Sequence, residues 1–500
     1  MKKKKETEYF NDAIRLNHLS SYREFRNNVI DKNYSNISKV TNINLKSLQR
    51  STEFFDIRFN LINFLKLKKN KLSLFLFPYE WSNNLHVSIF VKIVSHFLFS
   101  FFVLKLSIRR ILRVFKITLK PYKHNDFQNK DTVYLFSIPN HTIDILKSGN
   151  EYTLIGWLKN NLFHKNTTYF HDNKNLPNIK KKIHFNSFLP KIKIIKKIKV
   201  ILVFIPYFLI SLTKLFFGKW RDLYLADDHL LKEFFINSNQ DFLKSYIFPY
   251  IGSHFCPSWT NVVMEKGAKV YLLNYSSSSE PNLDGQSKDS TLFRISSWQN
   301  IIPFNKDFVP TLKKSIYYPS NILKTPTIFF THDGSMIEKF VKKDFVAIFD
   351  ITPFNPEFYI GFSNVASYMY HSHEDKILFY KSFFNDILNI SKEFGLEVVL
   401  KQKRYNPKQL SAYNELILEL QKTKNLIILP PTMSPYYVVD NSFASIAQPF
   451  TSVGFYNETK KNVAFYDPLE ILTPKHQESK RTNLLIGKKK LTLWLKKLKV

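Results

Sequence analysis

Cysteine is nearly absent from this chain of 500 residues: Cys256 stands alone. No disulfide can therefore close within the chain and no multi-cysteine metal site can form, and a reducing compartment is the expected setting. Glycine is almost as scarce, at 11 residues. Neither the dinucleotide fingerprint nor the nucleotide-triphosphate loop occurs, and there is no G-x-S-x-G elbow. These absences argue against a dehydrogenase, an ATPase or kinase, and an α/β-hydrolase. No Asp-x-Asp stands at the end of an apolar strand, so a metal-dependent, single-domain transferase is not expected and no metal ligand is assigned. The amino terminus, Met1 to Glu6 followed by Thr7-Glu8-Tyr9, has no apolar core, so no cleaved export signal is expected.

Acidic residues are also few, 40 against 73 Lys and Arg, for a formal charge of +33. Such an excess attracts nucleic acid, anionic lipid and acidic polymers without selectivity. Lys, Ile, Asn and Phe rise together along the whole chain, which points to AT-rich codon usage as a source of much of the Lys. Zinc-finger spacing and the RNA-binding aromatic signature are both missing, so no specific nucleic acid partner is expected.

Long apolar runs are limited to two. Val87–Leu104 is interrupted by Lys92 and His96 and followed by Arg109, Arg110, Arg113 and Lys116; Val200–Thr213 is uncharged and contains Pro206. A spanning helix needs about 20 apolar residues, so the second is short and the first marginal. Two readings stand: core helices, or helices lying on the anionic cytoplasmic face of a membrane. Membrane association is expected over spanning, with the protein cytoplasmic and peripheral to the inner face of the cytoplasmic membrane.

What is present is an α/β rhythm. A chain of this length exceeds one hydrophobic core, which stops growing at about 250–300 residues. Apolar strands are expected at 133–138, 269–273, 327–330, 345–350, 396–400, 425–429, 443–447 and 463–466. Helices are expected at 375–394, stopped by Gly395, and at 407–422. Strands alternating with helices imply parallel sheets covered on both faces. The expected organisation is a basic, mainly helical region at 1–130, an α/β domain at 131–340, a Rossmann-like domain at 341–475 and a basic helix or tail at 476–500. Asp222, Asp227, Asp228 and their basic neighbours between Gly218 and Phe235 suit an exposed helix face.

Ligands of such sheets bind beyond the carboxyl ends of the strands. Two strand ends are rich in suitable chemistry. One carries Lys401-Gln402-Lys403-Arg404, in which cations can clamp a phosphate. The other carries Gln448-Pro449-Phe450-Thr451-Ser452, a Pro-anchored turn whose adjacent hydroxyls and free backbone N–H groups form an anion site; an ordinary capped turn is the plainer alternative. Asp467 and Glu470, after the last apolar strand, can hold a ribose or sugar hydroxyl, and Asp467 equally can cap the following turn.

The pentapeptide Gln448–Ser452, with Pro431–Asp440 and the basic segment upstream and Tyr466-Asp467-Pro468 downstream, resembles the signature of the bacterial surface-polysaccharide biosynthesis proteins known by their PFTS motif. The resemblance covers about the last third of the chain, and more loosely Trp259–Ser279. It implies a GT-B-like fold, two Rossmann-like domains facing a cleft, and a glycosyltransferase of capsule or O-antigen assembly. It is also similar to the GT-B transferases for Kdo and sialic acid, in which a Ser/Thr pair holds the donor phosphate, so a CMP-sugar is among the donors implied. The partners implied are a nucleotide-sugar donor and a glycan or lipid-linked acceptor, with no cofactor. Lys401, Lys403, Arg404, Thr451 and Ser452 would hold the leaving phosphate, with Gln448, Asp467 and Glu470 near the nucleotide or sugar. An inverting transfer also needs a base, for which Asp333, Glu280 and His141 are the candidates. A basic nucleic-acid-binding or scaffold protein, and an enzyme that modifies sugar nucleotides without transferring the sugar, are the alternatives.

Overall fold

The computed structural model describes residues 89–119, 131–136, 153–171 (without 165), 183–185, 188–189, 192–238, 242–249, 256–274, 298–304, 306, 309–315, 320–328, 335–351, 373–402, 411–449 (without 425), 451, 453, 462–472 and 483–499. The first unit contains helix α1 (Ile89–Thr118), strand β1 (Thr132–Leu135), α2 (Leu154–Asn161), β2 (Thr168–His171), β3 (Ile183–Phe185), α3 (Ile194–Phe216), α4 (Arg221–Tyr224) and α5 (Ala226–Ile236). It continues through β4 (Ser245–Pro249), α6 (Trp259–Glu265), β5 (Lys269–Leu273), β6 (Asn300–Ile302), α7 (Val309–Ser315) and β7 (Asn321–Ile322). The second unit holds β8 (Phe345–Phe349), α8 (His373–Glu393), β9 (Glu397–Lys401), α9 (Ser411–Lys424), β10 (Ile427–Leu429) and α10 (Pro435–Asn441). It ends with β11 (Ala444–Ala447), β12 (Val463–Asp467), β13 (Asn483–Ile486) and α11 (Lys488–Lys499).

Each unit is built on one parallel sheet. The first runs β3-β2-β1-β4-β5-β6-β7 and the second β10-β9-β8-β11-β12-β13. Both orders are those of a doubly wound Rossmann sheet, in which the direction of winding reverses between the first and fourth strands. The two switch points therefore lie between β1 and β4 and between β8 and β11. In the second sheet β8 pairs with both β9 and β11, with Ala447 opposite Phe349 at the carboxyl end. The architecture is thus two Rossmann-like α/β units, as the sequence rhythm implies.

The second core follows directly from the pattern. On α8, Tyr380, Phe384 and Ile387 are buried at helical spacing, together with Phe379 and Phe383, so the helix presents a broad apolar face to the sheet. It ends at Gly395, φ 68°, where the left-handed backbone needs no Cβ and Leu396 N–H returns to Ser391 O. Two contacts join the units among the described residues. Phe304, two residues past β6, joins the second core beside Ile337 and Val341, and Tyr436, on α10, packs against the cluster of Leu135, Leu273 and Ile302 in the first.

Four expectations are corrected. Of the strand expected at 327–330, Thr327 and Ile328 are buried but form no strand, Ile328 N–H donating to Phe304 O, and residues 329–330 lie outside the described residues. Helix α1 belongs to the first unit rather than to a separate region, because Phe99, Phe102 and Val103 pack with Leu215, Trp220 and Leu223. The second unit runs past residue 475: β13 completes its sheet, and α11 buries Leu491 and Leu495 in its core. The acidic cluster is not an exposed face. Asp228 is buried, with both carboxylate oxygens 3.0 Å from the Ser258 N–H, and Asp227 pairs with Arg110 at 3.3 Å.

Candidate functional site

The motif turn begins where β11 ends, at the second switch point. Gln448 N–H donates to Phe349 O at 2.8 Å, one more rung of the β8–β11 ladder. Its side chain then reaches across: Ile351 N–H donates to Gln448 Oε1 at 2.8 Å. Gln448 is buried and so fixes the outgoing ends of β8 and β11 relative to each other. Its amide oxygen serves the protein backbone. The turn closes with Thr451 N–H donating to Gln448 O at 3.3 Å, and Pro449 and Val453 are buried on either side. The Thr451 hydroxyl is buried and has no hydrogen-bond partner among the described residues. A buried hydroxyl without a partner is costly and calls for an explanation.

A layer of aromatic hydroxyls supports this turn. Tyr380, from α8, donates to Ile351 O and lies 3.4 Å from Gln448 Oε1. Tyr413, from α9, donates to the buried carboxylate of Asp350, and Gln402 Nε2 lies 3.4 Å from the Tyr413 oxygen. Burial first, and then the negative charge of Asp350, hold the Tyr413 hydroxyl pKa well above its usual value of 10. Tyr413 therefore remains a donor throughout the physiological range. Asp350, Tyr413, Tyr380 and Gln448 tie β8, α9, α8 and β11 together under the turn and make it rigid. Sequence reasoning missed Asp350, Tyr380 and Tyr413 as a supporting shell. The available signal was Asp350 at the end of an apolar strand, with tyrosines on the inward faces of the next two helices.

Lys401 is the last residue of β9 and is buried; its Nζ donates to Gln402 O and Pro431 O, both at 2.9 Å. Its charge thus sits at the mouth of the sheet but ties the ends of β9 and β10 together. Lys403, Arg404 and Ser452 lie outside the described residues, as do Asp333, Glu280 and His141. Asp467 is buried at the end of β12. Its two carboxylate oxygens accept from Leu469 N–H at 3.1 Å and Leu472 N–H at 2.7 Å, which is the capping role. Glu470 is exposed, with φ 56°, and its side chain lies over Gly487, the left-handed residue between β13 and α11.

On the first sheet the corresponding strand end is aromatic: Phe136, just past β1, stacks on Phe248 with centroids 4.2 Å apart. At the end of β5, Asn274 is buried, its N–H bonded to Ile302 O at 2.9 Å, and both side-chain amide atoms lack partners among the described residues. Its signal in the sequence was an amide directly after an apolar strand. Among the described residues no cluster of three or more His, Cys, Asp or Glu is placed to hold a metal.

Two parallel sheets of Rossmann order, with a Pro-anchored hydroxyl turn at one switch point, define a doubly wound α/β protein. The model of the polysaccharide biosynthesis PFTS motif proteins matches residues 210–495, more than half of the chain, and the chain belongs to that family. A sequence search of curated proteins finds no match. Among solved structures, the wall teichoic acid polymerase TagF is similar over 79% of this chain and 88% of its own, at 12% identity and a TM-score of 0.40. UDP-GlcNAc 2-epimerase of Methanocaldococcus jannaschii, in complex with UDP-GlcNAc and UDP, is similar over 73% and 92%, at 12% identity and a TM-score of 0.37. The glycotransferase of kitacinnamycin is similar over 74% and 91%, at 9% identity and a TM-score of 0.36. At such scores the likeness is one of outline, and no residue role is carried across.

Proposed function

We propose that this protein is a glycosyltransferase of surface-polysaccharide assembly, moving a sugar from a nucleotide-activated donor to a lipid-linked or glycan acceptor. One observation carries the reading: the Gln448–Thr451 turn stands at the switch point of the second sheet with the Thr451 hydroxyl buried and unpartnered among the described residues. In open α/β sheets that crevice is the ligand site, and a hydroxyl beside backbone N–H groups suits a donor phosphate. As the bond to the anomeric carbon breaks, negative charge grows on that phosphate. Donors fixed in advance stabilise it without reorganisation. Lys403, Arg404 and Ser452 follow the same strand ends in sequence and would add charge and a second hydroxyl. The acceptor hydroxyl loses its proton to a base from the first unit. His141 is our first choice, since it follows β1, the strand at which the first sheet reverses its winding; Asp333 and Glu280 are the other candidates. The cations present suffice for the phosphate, so transfer is expected to need no metal.

Release of free nucleotide from CMP-, UDP- and GDP-sugars in the presence of an acceptor-bearing membrane extract and EDTA tests the reading. Activity with one donor class is expected, abolished by His141→Ala with nucleotide binding retained. Binding of a sugar nucleotide whose sugar is altered but never transferred would replace transferase by a modifying enzyme. Loss of transfer on chelation, restored by a divalent cation, would remove the metal-independent mechanism.

A further inference from the structure

Helices α1 and α3 lie side by side on the outside of the first unit and run antiparallel. Lys197 Nζ, near the start of α3, donates to Thr118 O at the end of α1 at 3.0 Å, and at the opposite end His96 Nε2 lies 3.3 Å from Phe216 O. Both helices pack on α4 and α5, so the faces they turn away from those helices look to one side. The outward faces are apolar. On α1, Phe90, Phe97, Phe101 and Leu112 are exposed, Phe101 at 67%, and on α3, Ile198, Leu202, Ile205 and Leu209 are exposed at helical spacing, Leu202 at 63%. Isolated exposed apolar residues are ordinary, but a continuous stripe on two adjacent helices is a contact surface.

Charge on this surface is of one sign. Neither helix contains an acidic residue. Arg110 and Lys214 meet Asp227 and Asp222 on the inner side. Lys105, Arg109, Arg113 and Lys116 on α1, Lys199 on α3 and Lys193 just before it are exposed. Because the helices are antiparallel, the second half of α1 and the start of α3 share one end of the pair, and these cations gather there.

We propose that the α1–α3 pair docks in the plane of an anionic phospholipid bilayer, its apolar stripe below the headgroups and its basic end on the lipid phosphates. Helix α3 is long and apolar enough to cross a membrane, yet it does not span. Its Val200, Phe204 and Leu215 are sealed in the cores of the first unit. Tyr207 further fixes it, donating to Asp222 O at 3.0 Å and stacking on His229. A helix bound along one face to a polar domain cannot be surrounded by lipid, but it can lie half-immersed. Docking stands independently of the donor site; where both hold, the enzyme works at the surface that carries lipid-linked acceptors.

The sole native thiol, Cys256, is buried, so the full-length protein can be labelled at an introduced cysteine with an environment-sensitive dye. Phe101→Cys and Leu202→Cys report the stripe, and Leu493→Cys, exposed on α11, is the control. With vesicles of phosphatidylcholine and phosphatidylglycerol, flotation and a blue shift at 101 and 202 but not at 493 are expected, and neither with phosphatidylcholine alone. Arg109→Glu with Arg113→Glu should weaken vesicle binding by about tenfold or more and leave nucleotide-induced thermal shifts unchanged. Absence of flotation, or flotation without a shift at 101 and 202, would overturn the proposal, the latter showing mere polyanion retention. Resistance to alkaline extraction would overturn it in favour of a span.

Discussion

Gln448 shows how one side chain sets the site. It bridges Phe349 and Ile351 across the switch point, and its replacement by Ala leaves the Ile351 N–H buried without an acceptor. That loss is worth about 1–3 kcal/mol, so Gln448→Ala should lower the midpoint of chemical unfolding and weaken nucleotide binding together, while a Thr451→Ala variant weakens binding alone. Asp228 gives the second residue-scale expectation. Burial, opposed by the hydrogen bond from Ser258, pushes its carboxyl up to about 7. In the unfolded chain the same group ionises near 4, so between these values the native state holds the extra proton and stability falls as pH rises. Thermal unfolding from pH 4 to 8 should therefore show the wild type losing stability relative to Asp228→Asn, with the difference levelling off above about pH 7. Neither residue's role was legible in the sequence. Asp228 stands in a charged run that resembles a solvated face, and its partner Ser258 is thirty positions away. The motif turn was legible because a proline and adjacent hydroxyls follow an apolar strand, a local signal that needs no knowledge of partners.

Elements were legible where strands and helices alternate regularly. The helices α8 and α9 and the strands from β8 to β12 follow from apolar spacing, since each buries a continuous stripe in one core. Length alone does not decide it, since β4 has five residues and was not foreseen whereas β10 has three and was; β2, β3, β4, β6 and β7 are recognisable only once their neighbours are in place. Helix α11 was expected as a basic helix or tail, but its lysines hid its packing in the second core. Its buried stripe is only Leu491 and Leu495, with Trp494 and Leu498 partly covered, and Lys488 at its start reaches Asp386 on α8 at 3.6 Å. Asp386 also accepts from the Tyr466 hydroxyl at 2.7 Å, so α11, α8 and β12 are joined at one carboxylate. Leu495→Ala is expected to destabilise the second unit by about 2–5 kcal/mol, measured by urea unfolding; a change near zero would mean that α11 is the appendage its composition implies.

For the whole molecule, the total charge of +33 says less than its distribution. Lys401 is buried among backbone carbonyls, Arg110 and Lys214 pair with carboxylates, and among the described residues exposed cations lie both at one end of the α1–α3 pair and along α11. The two Rossmann sheets were foreseeable from strand–helix alternation, but the strand order was not, since pairing across the sheet leaves no mark on local sequence. That order is what puts the Gln448–Thr451 turn at the switch point of the second sheet.

Thermal unfolding of the purified full-length protein with CMP, UDP, GDP and their sugars tests this assignment most directly, because a ligand that binds only the native state raises the midpoint by mass action. The account predicts a rise with one nucleotide class, retained in Arg109→Glu/Arg113→Glu and lost in Thr451→Ala/Ser452→Ala. No rise with any nucleotide, or a rise unaffected by loss of both hydroxyls, would contradict it.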